Sequence, residues 1–371
     1  MTLSHEEIRR RGDYRDLSID GFDHETLKKL YYFMLRLRRC ELALIDEYHP
    51  ADEMRCPIHF CVGQEAVPAS LSLLLKHDDY LFTHHRSHGY YLAKGAPMNE
   101  LFAELYGKAS GANGGKAGSQ DISHPQSRVY GGAILAGALG IAVGAGFGIQ
   151  LKNTSQIAVT GSGEAATEEG IFWEAINFAS VKKLPVVFVC ENNRYSTHSP
   201  QENRQPPGNI SSRVAAFGVR TETLFGNDVI KVYAALKKAV ERARAGEGPT
   251  FVEAFTYRWN GHVGPENDDH IGYRTADEIE FWKRNCPIAL LERQLFDQGV
   301  LSQADKEKMS AEIDEEIADA FAFAKASPFP EDADWRRLNL SPSTPLADRL
   351  LKDDASAQFD QNQQYAIPGP Y

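Results

Sequence analysis

Cysteine is scarce in this chain, a surplus of positive charge is missing, and so is an apolar leader. Five cysteines stand among 371 residues, at 40, 56, 61, 190 and 286. Their number is odd and no CxxC occurs, which argues against a disulfide framework and for a reducing cytoplasm. The formal net charge is −11, so a nucleic-acid role has no support, because binding a phosphate backbone wants a basic face. The opening MTLSHEEIRRRGDYRD is charged throughout and has no apolar core, so no secretory signal is expected. One long uncharged run exists, AILAGALGIAVGAGFGIQ at 133–150. It is glycine-rich, barely bilayer length and closely flanked by polar residues, so no membrane role is expected. A helix over 134–151, buried inside the protein or at a subunit contact, is the better expectation. Gly137, Gly140, Gly144 and Gly148 recur along it at helical spacing, which allows close helix approach.

What is present is an ordinary globular composition, 42% apolar and 25% charged. That is ample for a large core. Leucines and aromatics three and four apart predict a helix over 24–47, and further helices are expected over 64–76, 97–107 and 227–245. Short apolar strands are expected at 80–83, 157–160, 216–222 and 250–257. A final helical region should run from 275 to about 326, its acidic stretch 303–320 forming a solvated face. Glycine-rich 108–132 reads as a long loop, of the kind that is functional or disordered. Strands alternating with helices predict an α/β fold, a mostly parallel sheet with helices on both faces. Residues 1–327 read as a single domain and 328–371 as an irregular polar tail.

The segment 157–198, IAVTGSGEAATEEGIFWEAINFASVKKLPVVFVCENNRYSTH, carries the most chemistry. An apolar strand breaks at a glycine turn, Glu164 follows, then an amphipathic helix, then a second apolar strand ending on Asn192-Asn193. Thr167 before Glu168 and Glu169 looks like a helix N-terminus. In an open α/β sheet, ligands bind beyond the carboxyl ends of the strands, where both Glu164 and Asn193 would lie. A hard cation carrying a diphosphate needs oxygen ligands, which a carboxylate, an amide oxygen and a backbone carbonyl would supply.

This segment resembles the thiamine diphosphate motif, which opens on Gly-Asp-Gly and closes on Asn-Asn. Two registers fit. Gly161-Ser162-Gly163 keeps both glycines but has no carboxylate; Gly163-Glu164-Ala165 keeps the carboxylate and continues into Ala166-Thr167-Glu168-Glu169-Gly170, and is preferred. The resemblance extends over about 24–300. It includes Ile58-His59-Phe60, Gly63-Gln64-Glu65-Ala66, Arg86-Ser87-His88-Gly89, Gly114-Gly115-Lys116, Tyr257-Arg258-Trp259-Asn260-Gly261-His262 and Tyr273-Arg274-Thr275. Together these are similar to the alpha subunit of the first, decarboxylating component of 2-oxo acid dehydrogenase complexes, such as pyruvate, branched-chain 2-oxo acid and acetoin dehydrogenases.

The resemblance implies thiamine diphosphate and Mg2+ as cofactors. It implies metal ligation by Glu164, Asn193 and the carbonyl of Tyr195. It implies cofactor contacts at Arg86, His85, Ile134, Ala136, Gly163, Ala165, Ala166 and His262, and catalytic roles for His262, His88 and His59. A guanidinium fork suits a phosphate, and an imidazole can donate to an anion or move a proton. The family has a tyrosine where His85 stands. Its animal pyruvate dehydrogenases carry a regulatory serine directly after the histidine matching His262; here Val263 excludes phosphorylation at that position. A separate beta subunit supplies the pyrimidine-side glutamate, implying an α2β2 assembly, a 2-oxo acid substrate and a lipoyl acyltransferase as acceptor. Other readings stay open: a carboligase or decarboxylase without a lipoyl partner, half of a split transketolase, or a binding subunit without catalysis.

Overall fold

Short apolar runs bounded by glycine and polar turns become strands here, and the longer amphipathic runs between them become helices. A computed structural model describes residues 4–11, 17–331 and 352. Along the chain come α1 (His5–Arg11), α2 (His24–Ala51), α3 (Ala66–Leu74), β1 (Tyr80–Phe82), α4 (His88–Ala93), α5 (Met98–Leu105) and β2 (Val129–Tyr130). Then follow α6 (Gly137–Lys152), β3 (Ala158–Gly163), α7 (Gly170–Lys182), β4 (Val186–Asn192), β5 (Tyr195–Ser196), β6 (Ser199–Pro200) and α8 (Ile210–Ala215). β7 (Arg220–Phe225), α9 (Val229–Arg244), β8 (Thr250–Phe255), α10 (Ala276–Arg284), α11 (Pro287–Asp297) and α12 (Gln303–Ala326) complete the described part. The irregular tail expected over 328–371 lies, from 332 onward and apart from Lys352, outside the described residues.

The main sheet has the order β2-β1-β3-β4-β8-β7, and every pairing in it is parallel. Its side chains divide by the two-residue period of a strand. Val159, Val187, Val189 and Val252 enter a core shared with α2, α3, α5 and α9. Ala158, Val186, Phe188 and Phe251 enter a second core under α6, α7 and α8. Covering both faces is what makes the central strands continuously apolar, and it leaves only the strand ends for polar chemistry. The carboxyl ends of β1, β3, β4 and β8 lie side by side through their shared registers: Phe82 opposite Thr160, Gly163 opposite Glu191, and Asn192 opposite Phe255.

Two local outcomes differ from the sequence expectation. The glycine-rich loop contains β2, which pairs with β1. The loop is also organised by Glu104, whose buried carboxylate accepts N–H groups from Asn113, Gly115, Ala117 and Gly118 at 2.8, 2.9, 2.7 and 3.0 Å. The helix after β3 does not begin at Thr167. Glu164–Glu168 is a 3-10 turn, with the Thr167 hydroxyl donating to the Glu164 carbonyl, and α7 starts at Gly170. Helix α6, expected to be buried inside the protein or at a subunit contact, is buried on one side. Leu139, Val143 and Ile149 face the core, but Ile141 is 65% and Leu151 71% exposed. Its close approach is made at Gly146, where a Cβ would meet a Val186 methyl at 2.4 Å, whereas Gly144 and Gly148 face open space. No described helix is long and apolar enough to cross a membrane, and all five cysteines are free.

Candidate active site

Beyond the carboxyl ends of those four strands lies a cavity of about 280 Å³. Each wall is the direct continuation of a strand. After β1 come His84, His85 and Arg86; after β3, Glu164, Ala165 and Ala166; after β4, Asn193 and Tyr195; after β8, the loop carrying His262. His59 enters from the segment before α3, and Ile134 and Ala136 from the segment before α6. This is where an open parallel sheet presents ligand-binding groups.

One wall is built for an anion. Arg86 is buried, and its guanidinium donates to the carbonyls of Phe60 at 2.5 Å and His262 at 3.2 Å. Among the described residues no carboxylate pairs with it. Burial first, and the nearby Arg258 second, pull its pKa down to about 10, so it remains a cation at neutral pH. Around it stand His59, His85 and His262, with ring nitrogens within 4.8 Å of one another. Burial, then the charge of Arg86, lowers His59 to about 3 and His262 to about 4, and holds His85 well below its ordinary value. All three imidazoles are therefore neutral, each with one N–H to give. Gln120 Nε2 lies 3.4 Å from His59 Nδ1. The His262 loop is fixed by Asp268, which accepts from the His262 N–H at 3.3 Å and from Tyr273 and Arg274 at 2.6 Å each.

The opposite wall offers oxygen. Glu164 is 2% exposed; burial raises its pKa, and Arg204 opposes that rise. Asn193 accepts from the Tyr195 N–H at 3.2 Å, across Arg194, which is left-handed at φ 75°. Glu164, Asn193 and Tyr195 all line the cavity. A carboxylate, an amide oxygen and a carbonyl form a donor set for a hard cation such as Mg2+, and Arg86, which lines the same cavity, fits a diphosphate. Ser162, the carboxylate position of the rejected register, instead donates to the Val189 carbonyl at 3.4 Å. Ala136 takes a left-handed conformation at φ 61° to start α6 at the cavity edge, a strain of about 1–2 kcal/mol for a residue with a Cβ.

The structure brings together His59, His85, Arg86, Ile134, Ala136, Gly163, Glu164, Ala165, Ala166, Asn193, Tyr195 and His262. It does not bring His88. That ring is fully buried, with Nδ1 2.6 Å from Glu41 and Nε2 2.9 Å from Ser119 Oγ. It is not part of the lining of this cavity. Sequence reasoning missed Glu191, a buried cavity residue that accepts from Tyr90 at 2.7 Å and lies 3.3 Å from His84. Its place just before the strand-terminal asparagines was a usable signal. It also missed Arg204, which donates to Glu164 at 2.6 Å and also pairs with Glu168. Nothing local in the sequence links that loop to the turn.

The sequence profile described as "Dehydrogenase E1 component" matches residues 32–332. The chain is 35% identical over 282 residues to the alpha subunit of acetoin:2,6-dichlorophenolindophenol oxidoreductase from Bacillus subtilis, covering 75% of this chain and 82% of that one. It is 31% identical over 321 residues to the pyruvate dehydrogenase E1 component subunit alpha of Rhizobium meliloti, covering 86% and 91%. The somatic mitochondrial counterpart from Bos taurus is 33% identical over 306 residues, covering 81% and 76%. With the profile spanning most of its length and alpha subunits among its relatives, the chain belongs to the dehydrogenase E1 component family as an alpha subunit.

Proposed function

We propose that this chain is the diphosphate-binding half of a thiamine diphosphate-dependent 2-oxo acid dehydrogenase. It decarboxylates a 2-oxo acid and passes the acyl group to a lipoyl acceptor, together with a beta subunit. The observation that carries the reading is the meeting of Arg86, Glu164, Asn193 and His262, from four strand ends, on one cavity. When bound, thiamine diphosphate supplies the carbon nucleophile and electron sink for decarboxylation. Arg86, His262 and the backbone N–H groups of Ala165 and Ala166 hold diphosphate oxygens. Glu164, Asn193 and the Tyr195 carbonyl hold Mg2+. His59, a neutral imidazole, orients the substrate end and holds a proton there, as does His85. The free cysteines suit a reducing, cytoplasmic setting.

The beta subunit has a surface to meet. Helix α6 leaves the cavity edge and exposes Ile141 and Leu151, and α7 exposes Val181 at 70%, while Ile134 at the rim is 79% exposed. Exposed apolar side chains of this kind suit an interaction surface, and a partner seated at the Ile134 rim would close the cavity. The test is co-expression with the beta chain, calorimetric titration of Mg2+ and thiamine diphosphate, and dye reduction over a panel of 2-oxo acids with a lipoyl-domain acceptor in parallel. Glu164→Ala should abolish magnesium-dependent cofactor binding with an unchanged circular dichroism spectrum. Cofactor binding that ignores magnesium in the wild type would refute the metal assignment, and full decarboxylation by this chain alone would refute the divided site.

A further inference from the structure

Glu164 already has a cation. A buried carboxylate without a partner is strongly disfavoured, and the group that meets it is Arg204, whose Nη2 lies 2.6 Å from Glu164 Oε1. The other arm of the same guanidinium pairs with Glu168, and Gln205 Nε2 donates to the Glu164 carbonyl at 2.9 Å. The side chain of Glu168 is 32% exposed, while that of Glu164 is 2%. Arg204 thus has one foot in the cavity wall and one at the surface. It sits in the segment between β6 and α8 that continues through Pro206, Pro207 and Gly208 and, apart from the short turn Gln201–Asn203, holds no regular element. A divalent ion on the Glu164 carboxylate would stand beside a guanidinium bonded to that same carboxylate, like charges at contact distance in a poorly screened place.

We propose that Arg204 is a resident counter-cation for the metal carboxylate. It satisfies Glu164 while the site is vacant of metal, and leaves it for Glu168 alone when the metal arrives. The proposal rests on the assignment of Glu164 to the metal. Arg204 is a positioning residue: it holds the carboxylate at the cavity wall, and exacts a cost in metal affinity for doing so.

The test uses the full chain co-expressed with its beta partner, titrated calorimetrically with thiamine diphosphate at fixed Mg2+, alongside hydrogen exchange of the amides at 201–205. Arg204→Met removes the competing cation and should bind the cofactor about tenfold more tightly, the worth of one charge-assisted hydrogen bond. Arg204→Lys restores a cation and should return the affinity toward the wild-type value. In the wild type, protection at 201–205 should fall on loading; in Arg204→Met it should be low from the start. Unchanged or weaker cofactor binding by Arg204→Met overturns the proposal, the weaker result making Arg204 a direct cofactor ligand. A Glu164→Gln control separates the two readings. If its binding keeps its magnesium dependence, the metal assignment fails and this proposal with it. If that dependence vanishes while Arg204→Met matches wild type, this proposal alone fails.

Discussion

Replacing Glu104 by glutamine should loosen the loop beside the cavity without touching the core. The Glu104 side chain is buried, with Oε2 receiving the N–H groups of Asn113 and Gly115, and Oε1 those of Ala117 and Gly118. Glutamine has the same shape but only one acceptor oxygen. Whichever way the amide turns, two backbone N–H groups face an NH2 group and lose their partner. An unsatisfied buried donor costs about 1–3 kcal/mol; these N–H groups are half-buried, so at the low end the loop should lose about 2 kcal/mol. At about 1.4 kcal/mol per tenfold change, hydrogen-exchange protection at 113–118 should drop roughly thirtyfold. The site should feel this, because the loop leads to Gln120, which lies 3.4 Å from His59. Native-state exchange read by mass spectrometry, with β4 and β8 amides as internal controls, measures it. Protection at 113–118 unchanged in the variant would refute the carboxylate's organising role. A uniform drop across β4 and β8 would show global rather than local loss.

Acid should unfold the chain earlier than its carboxylates require. His5 and His59 are lowered from 6.5 to about 3 and His262 to about 4. The unfolded chain therefore binds more protons, so their contribution is fully present above pH 6.5 and is lost as pH falls toward 4. The thermal midpoint by calorimetry should decline steadily over that interval, and His59→Gln should flatten the decline; a midpoint constant from pH 7 to 5 would disprove it. Gly146→Val should lower stability by about 1–3 kcal/mol through overpacking, because the new Cβ meets Val186 at 2.4 Å, whereas Gly144→Ala, in open space, should be neutral or stabilising in urea titrations.

What was legible in the sequence was local. β3, its turn and Glu164 are contiguous, and so are β4 and Asn193, so strand-end logic located both walls of the cavity. The other features depend on partners remote in the chain. His88, expected to be catalytic, bonds partners that lie 47 and 31 residues away, Glu41 and Ser119, and is buried apart from the cavity lining. Helix α4 is only six residues long, too short for periodicity to announce it. Strand β2 is two residues long and exists by pairing with β1, so no periodicity could announce it. Thr167 has the composition of a helix cap, yet its hydroxyl is engaged by the Glu164 carbonyl, and α7 starts three residues later.

Helix α6, which exposes Ile141 and Leu151, starts at its N-cap Ala136, and Ala136 lines the cavity. A subunit docking on that helix would join quaternary structure to ligand occupancy in one thermodynamic cycle. By reciprocity, cofactor that binds the assembled form more tightly must strengthen assembly by the same factor. The apparent cofactor affinity should then rise with protein concentration and level off once assembly is complete. A dilute preparation would read as a weak binder, and its loss of cofactor on dilution would be dissociation of chains rather than damage to the site.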